Sequence, residues 1–159
     1  MPDENPRVAI IYGSLSDANV MSQAGAMLER FGVPYTETSI SAHRAPRALA
    51  DWMAELEPNG IEVVITGAGM SAALPGVVAA HTALPVIGVP IKGGALDGLD
   101  ALLAISQMPP GVPVACVGLD NAKNAAVLAV QILATNDPDL RAKLWKFKDD
   151  FEQAAAANR

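Results

Sequence analysis

Residues 63–76 restrict the fold of this chain more than any other segment. Residues 63–66 form a β-branched run, which predicts a strand buried on both faces. The run leads into a turn of small residues at 67–73 and then into a helix. Because that turn has few side chains, a ligand can lie directly against backbone N–H groups at the start of the helix.

The same change from strand to helix recurs along the chain. Apolar runs predict strands, and residues at helical spacing follow each of them. This alternation is typical of βαβ units with a parallel sheet and right-handed crossovers. We predict an α/β fold, a single-domain three-layer sandwich with a doubly wound, flavodoxin-like parallel sheet and an extra C-terminal helix. The five predicted strands are residues 7–12, 35–40, 61–66, 85–90 and 112–117.

The length of 159 residues favours one domain spanning residues 1–159. We expect its core at about 7–135, after a loose tail at 1–6. The second strand is polar and alternating, which predicts a position near an edge of the sheet. Residues 139–156 predict a charged amphipathic helix with no strand after it. We therefore expect that helix to pack outside the domain core, on a neighbouring subunit.

Composition narrows the function classes. A formal net charge of −6 argues against nucleic-acid or anionic-membrane partners. Hydrophobic residues make up 51% and the mean hydropathy is +0.26, which predicts apolar surface buried between subunits. The single cysteine, Cys116, excludes an internal disulfide and suits a core position better than a nucleophilic role. Without a signal-peptide pattern or a membrane-spanning stretch, we expect a cytoplasmic protein.

Polar side chains follow the first two strands, at turns that should meet the small-residue turn. In doubly wound sheets, ligands bind outside the carboxyl ends of the strands, near the point where strand order reverses. We therefore expect three turns to form one site. They contain Ser14, Ser16 and Asp17 after strand one, Ser41, His43 and Arg44 after strand two, and residues 67–73 after strand three.

The first turn offers hydroxyl groups and free N–H groups at the start of a helix. This arrangement suits a phosphate, which Ser14 and Ser16 can contact. Asp17 can hydrogen-bond a sugar hydroxyl. The alternative is that Ser16 or Asp17 only caps the helix.

The second turn puts an imidazole beside a permanent cation. Arg44 can hold a phosphate through two parallel hydrogen bonds, and His43 can transfer a proton near neutral pH. The alternative is a solvated loop with no ligand. The other histidine, His81, falls late in an apolar helix and suits a structural or interfacial role.

The third turn matches the dinucleotide-binding fingerprint G-x-G-x-x-A at residues 67–72. Two observations argue against that function. The turn follows the third strand rather than the first, and no acidic residue lies between Glu62 and Asp97. A turn without acids instead suits a planar, electron-rich or anionic ligand lying on the backbone.

Six short motifs lie in order along the chain: YGSLSD at 12–17, SAHRAP at 41–46, GAG at 67–69, LPG at 74–76, LPVIGVP at 84–90 and QMPPGVPV at 107–114. Together they resemble the PurE family, the 5-(carboxyamino)imidazole ribonucleotide mutases of purine biosynthesis. The resemblance covers about residues 7–135. Arg44 and the Leu-Pro-Gly segment are similar to the bacterial mutase branch, whereas the CO2-dependent carboxylase branch has lysine at the Arg44 position.

The resemblance implies an isomerase that moves a carboxylate from an exocyclic nitrogen to a ring carbon, without metal, nucleotide or biotin. The carboxylate leaves as CO2, is retained beside the ring and is recaptured, with His43 as general acid and base. The implied partners are a small ribonucleotide substrate and further copies of the chain in a homo-octamer. The implied substrate contacts are Ser14, Ser16 and Arg44 for the phosphate, Asp17 for the ribose, and Ser41, Gly69, Met70 and Leu74 elsewhere.

The chain departs from the family at Ala73, where many mutases have a second histidine. His81 lies eight residues further on, about 12 Å along a helix, so it cannot replace that imidazole within one subunit. We interpret Ala73 as a tolerated variant; a slower enzyme or a changed substrate are the alternatives. Three other functions stay open: direct carboxylation by CO2, a non-catalytic sugar-phosphate-binding module, and dinucleotide binding.

Overall fold

A computed structural model describes residues 5–158 as one parallel five-stranded sheet covered by helices. The strand order is β2-β1-β3-β4-β5, and every neighbouring pair is parallel. The strands are β1 Val8–Tyr12, β2 Tyr35–Ser39, β3 Val63–Gly69, β4 Val86–Ile91 and β5 Ala115–Cys116. The helices are α1 Ala18–Phe31, α2 Pro46–Ala54, α3 Leu74–His81, α4 Leu99–Ser106, α5 Ala122–Leu133 and α6 Pro138–Ala157, with a short 3-10 turn at Leu15–Asp17 before α1.

The sheet separates two apolar cores, which confirms the doubly wound α/β prediction. Successive residues of a strand point to opposite faces. Accordingly Val8 and Ile10 of β1 pack with α1, α5 and α6, whereas Ala9 and Ile11 pack with α2, α3 and α4. All four side chains are fully buried. The polar strand β2 lies at one edge of the sheet, as its composition predicts.

Strand β3 is longer than its sequence suggests. The predicted turn begins at Gly67, but the strand continues to Gly69, which is in register with Ile91 of β4. A methyl group on Gly67 would overlap the thioether of Met21, so a glycine lets helix α1 approach the sheet closely there. The turn that faces the site therefore begins only at Met70.

Strand β5 is shorter than predicted. Only Ala115 and Cys116 pair with β4, whereas the apolar run predicts a strand over residues 112–117. Pro113 has no N–H to donate to a ladder, so pairing cannot extend far toward the N-terminus of the run. Cys116 is half-buried, and burial raises the pKa of its thiol, which agrees with a core role.

Helix α6 packs on its own subunit, and the expectation that it lies outside the domain core is wrong for its first half. Leu140 and Leu144 are buried in the core that α1 and α5 share. The rings of Phe31 and Phe147 meet edge to face, with centroids 5.2 Å apart. An amphipathic pattern predicts the buried face of a helix but not the surface that covers it. The predicted tail at 1–6 lies mostly outside the described residues, and no helix among residues 5–158 is long and apolar enough to cross a membrane.

Candidate active site

The sheet register brings the first two turns to one level and the third turn close beside them. Tyr12, the last residue of β1, is opposite Ser39 on one side and Gly67 on the other. The chain therefore leaves β1 and β2 at the same edge. Strand β3 continues two residues further, to Gly69. The turn after β3 therefore projects beyond the turns after β1 and β2 and forms a wall beside them.

The turn after β1 is organised by Ser14. Its backbone is extended, with φ −152°, and its hydroxyl oxygen accepts hydrogen bonds from the Ser16 N–H at 3.3 Å and the Ser16 hydroxyl at 2.9 Å. Asp17 makes no side-chain hydrogen bond that caps α1. Ser14 is thus the residue whose side chain caps this 3-10 turn, and Asp17, at the N-cap position of α1, makes no capping hydrogen bond with its side chain.

Asp17, the last residue of this turn, is half-buried. Burial raises the pKa of its carboxyl, and hydrogen bonding from Ser14 and Ser16 opposes only part of that shift. A carboxylate held partly away from water gains from a new hydroxyl donor. This position suits a sugar hydroxyl better than a phosphate, which would repel it.

The turn after β2 presents His43 and Arg44 at the surface, immediately before α2 begins with Pro46. The hydroxyl of Ser41 accepts hydrogen bonds from the Arg44 N–H at 3.3 Å and from its Nε at 3.4 Å. Only the Nε of the guanidinium takes part in these bonds, so its two terminal nitrogens are available to an anion.

The turn after β3 has an unusual backbone conformation. Met70 and Ala72 have φ values of 48° and 37°, a region that residues with a Cβ rarely adopt. The N–H of Ala72 donates to the carbonyl of Gly69 at 3.0 Å. A Cβ on Gly69 would lie 3.2 Å from the carbonyl oxygen of Ile91, so the turn is tightly packed against β4. Such conformations persist where the surrounding structure fixes them, which is common at ligand sites.

The three turns line one open cavity of about 510 Å³. That volume is within the range of small-molecule sites. Met70 covers part of it and is 58% exposed. The cavity contains all nine predicted site residues, namely Ser14, Ser16, Asp17, Ser41, His43, Arg44, Gly69, Met70 and Leu74, together with Ala73.

A fourth loop also lines the cavity, and sequence reasoning did not assign it to the site. Lys92 and Gly93 follow β4, the neighbour of β3. The rule that parallel strands end at one edge could have included this loop. The sequence gives no sign of a role for Lys92, because this residue belongs to none of the motifs with recognisable chemistry. His81 lies elsewhere, with its Nδ1 2.8 Å from the carbonyl oxygen of Val77 one helical turn earlier.

A cavity at the carboxyl edge of a doubly wound sheet, lined by hydroxyls, a guanidinium and an imidazole, defines a class of α/β proteins that bind a small anionic ligand at the strand ends. Within that class, the chain belongs to the AIR carboxylase family, which matches residues 7–154.

Named relatives agree with that assignment. The N5-carboxyaminoimidazole ribonucleotide mutase of Pyrococcus horikoshii is 54% identical over 153 residues, covering 96% of this chain and 86% of that protein. The phosphoribosylaminoimidazole carboxylase of Schizosaccharomyces pombe is 49% identical over 152 residues, which is 96% of this chain but only 28% of that longer protein. The crystal structure of Treponema denticola PurE superposes with a TM-score of 0.89 at 28% identity, covering 97% of this chain and 96% of that one.

Proposed function

We propose that this protein is an N5-carboxyaminoimidazole ribonucleotide mutase. It moves the carboxylate of its substrate from the exocyclic nitrogen to the ring carbon, giving 5-amino-4-imidazolecarboxylate ribonucleotide. The observation that carries the proposal is that His43 and Arg44 share one cavity with the serine turn and with the small-residue turn. The relative from Pyrococcus horikoshii, which has this activity in its name, supports it.

The phosphate lies between the first two turns. Ser14, Ser16 and Arg44 bind it, because hydroxyls and a guanidinium are its natural donors. Ser41 orients the guanidinium. Asp17 accepts a hydrogen bond from a ribose hydroxyl, which places the sugar above the first turn and directs the imidazole toward the third.

His43 handles both proton transfers. The bond between the exocyclic nitrogen and the carboxylate carbon breaks, CO2 leaves, and protonated His43 gives its proton to that nitrogen. The ring carbon then attacks CO2 and forms a carbon–carbon bond. Neutral His43 removes the proton from this carbon, which restores the aromatic ring and the starting state of the enzyme. One imidazole can serve both steps, because a histidine side chain can both donate and accept a proton near neutral pH.

The small residues hold the released CO2 by shape. Gly69, Ala72 and Leu74 form a wall without charged groups, and Ala72 and Leu74 are buried. CO2 is uncharged, so its retention depends on steric confinement and on the exclusion of water. The side chain of Met70 covers this wall, against Gly94 of the next loop.

Direct carboxylation of aminoimidazole ribonucleotide by CO2 is the second candidate, favoured by the carboxylase name of the Schizosaccharomyces pombe relative. Steady-state rates with each substrate decide between the two. The mutase predicts turnover of the carboxylated ribonucleotide at bicarbonate levels too low for the other route. Activity only with aminoimidazole ribonucleotide and bicarbonate would contradict it, and binding of ribonucleotide without either activity would indicate a binding module.

We also propose a homo-octamer with a cytoplasmic location. Large apolar side chains are half or more exposed on the single chain, and an assembly would cover them. Besides Leu15 and Met70 near the cavity, they are Leu96, Leu99 and Leu103 near α4, and Trp145 and Phe151 on α6. Light scattering after size exclusion should give eight times the chain mass of 16.5 kDa. A monomeric mass at micromolar concentration would contradict the assembly.

A further inference from the structure

Lys92 is a cation of the cavity for which the proposed function has no role. It comes from the loop after β4, whereas Arg44 follows β2. Neighbouring strands are about 4.8 Å apart, so β2 and β4, separated by β1 and β3, are about 14 Å apart. The two positive side chains therefore begin at opposite ends of the cavity.

The backbone of Lys92 is held in place by the loop after β5. The N–H of Lys92 donates to a carboxylate oxygen of Asp120 at 2.9 Å. The N–H of Asp120 in turn donates to the carbonyl of Pro90 at 2.9 Å, and Asp120 has a positive φ of 55°. A Cβ on Gly98 would lie 3.1 Å from the Cα of Lys92. The base of the lysine side chain is thus fixed from two sides.

The ammonium group of Lys92 takes part in none of the ion pairs found within residues 5–158. The nearby carboxylate of Asp120 accepts a hydrogen bond from the backbone N–H of Lys92 and not from its ammonium group. An ammonium is a compact point charge with three donors, and an anionic ligand can satisfy it. A free cation on the wall of a ligand cavity therefore points to an anion.

The proposed substrate carries two anionic groups at opposite ends. When the substrate binds with its phosphate at Arg44 and its ribose at Asp17, its imidazole and carboxylate extend along the third turn toward β4. We propose that Lys92 binds the carboxylate of the carboxylated imidazole and so sets the preference for carboxylated over decarboxylated ribonucleotides. This inference rests on the proposed function and assigns a specificity-determining residue to it.

The role has a kinetic consequence. Substrate and product both carry the carboxylate, whereas CO2 at the intermediate stage carries no charge. Lys92 therefore stabilises the two ground states and not the step between them. Removing it should raise KM and leave kcat unchanged or higher.

Equilibrium binding of two ligands tests the inference. One is 5-amino-4-imidazolecarboxylate ribonucleotide, and the other is aminoimidazole ribonucleotide, which differs by lacking the carboxylate. In Lys92→Met, the Kd of the carboxylated ligand should rise about tenfold, as expected for a lost charge-assisted hydrogen bond. The Kd of the decarboxylated ligand should change less than twofold, and Lys92→Arg should recover most of the affinity.

Lys148→Met is the matched control, because it removes one exposed positive charge from α6, outside the cavity. It should affect neither ligand. Equal weakening of both ligands in Lys92→Met would assign Lys92 to the phosphate and overturn the inference, as would no weakening of either. Failure of the unmodified protein to bind either ribonucleotide would instead overturn the proposed function, and with it this inference.

Discussion

The hydroxyl of Ser41 accepts hydrogen bonds from both the backbone N–H and the Nε of Arg44. The small side chain of Ser41 thus holds both the backbone and the guanidinium of Arg44, whose side chain is long and exposed. Holding an arginine in its binding geometry before the ligand arrives reduces the side-chain entropy that binding would otherwise cost. This pair therefore favours the phosphate-binding role that we propose for Arg44.

Replacement of Arg44 should weaken substrate binding. A hydrogen bond to a charged group contributes about 1.5–3 kcal/mol, so Arg44→Ala should raise KM at least about tenfold. Arg47→Ala is the matched control, since Arg47 is exposed on α2 and does not line the cavity. Steady-state kinetics measure both variants, and an unchanged KM for Arg44→Ala would remove this residue from the phosphate site.

Introduction of a second imidazole at Ala73 should have little effect. Ala73 is half-buried on the cavity wall, and its backbone is helical, with φ −74° and ψ −28°, so a larger side chain meets no backbone strain. If His43 performs both proton transfers, Ala73→His should change kcat by less than about tenfold. A much larger increase in isomerisation rate would mean that the unmodified chain lacks a catalytic group.

Gly88 in β4 should resist any side chain. A methyl group there would overlap the Ile105 side chain and lie 3.0 Å from a methyl of Val114, and both neighbours are β-branched and stiff. Gly88→Ala should therefore lower the free energy of unfolding by about 1–3 kcal/mol. Gly13→Ala, where no atom lies within 4 Å of the new carbon, is the control in urea unfolding. Equal stability of the two variants would show that the core around Gly88 relaxes freely.

Stability should depend on pH through Asp137. A hydrogen bond from the Leu140 N–H, and then the Arg7 guanidinium, hold the pKa of this carboxyl below its ordinary value. Because the folded pKa is below the unfolded one, the ionised group stabilises the fold above about pH 4, and that contribution is lost as the pH falls through the folded pKa.

Asp137→Asn keeps an oxygen that can cap α6 but removes the charge. It should lower stability at pH 7 and flatten the decrease in stability between pH 5 and pH 2, measured by urea unfolding across that range. Asp139→Asn, two residues further on in the first turn of α6, is the control, because it removes one carboxylate and keeps the Arg7–Asp137 ion pair. An unaltered pH profile in Asp137→Asn would contradict the role of this group.

The sequence predicts the order of elements well because each strand is a short apolar run followed by helical spacing. It predicts the ends of strands and the burial of helices less well, because tertiary contacts determine them. The glycines before Met70 indicate a turn, yet pairing with β1 and β4 keeps Gly67 in the strand. Likewise the burial of Leu140 depends on a surface that α1 and α5 build together, and no local pattern in α6 describes that surface.

The sequence likewise predicts only part of the site. His43 and Arg44 could be found because a parallel sheet brings its strand ends together and because their chemistry is distinctive. Lys92 could not be assigned, since a lone lysine in a glycine-containing loop resembles any solvated surface residue. Its place in the cavity depends on the register of β3 with β4, which pairs Gly69 with Ile91, the residue before Lys92.

The rate of isomerisation in His43→Asn, measured together with its affinity for the carboxylated ribonucleotide, tests the central claim most directly. Loss of a general acid–base group should lower kcat by about 10²–10⁴-fold while Kd stays within a few-fold. His81→Asn, which alters the histidine outside the cavity, should keep the unmodified rate. An unchanged kcat in His43→Asn would contradict the assignment of proton transfer to this imidazole.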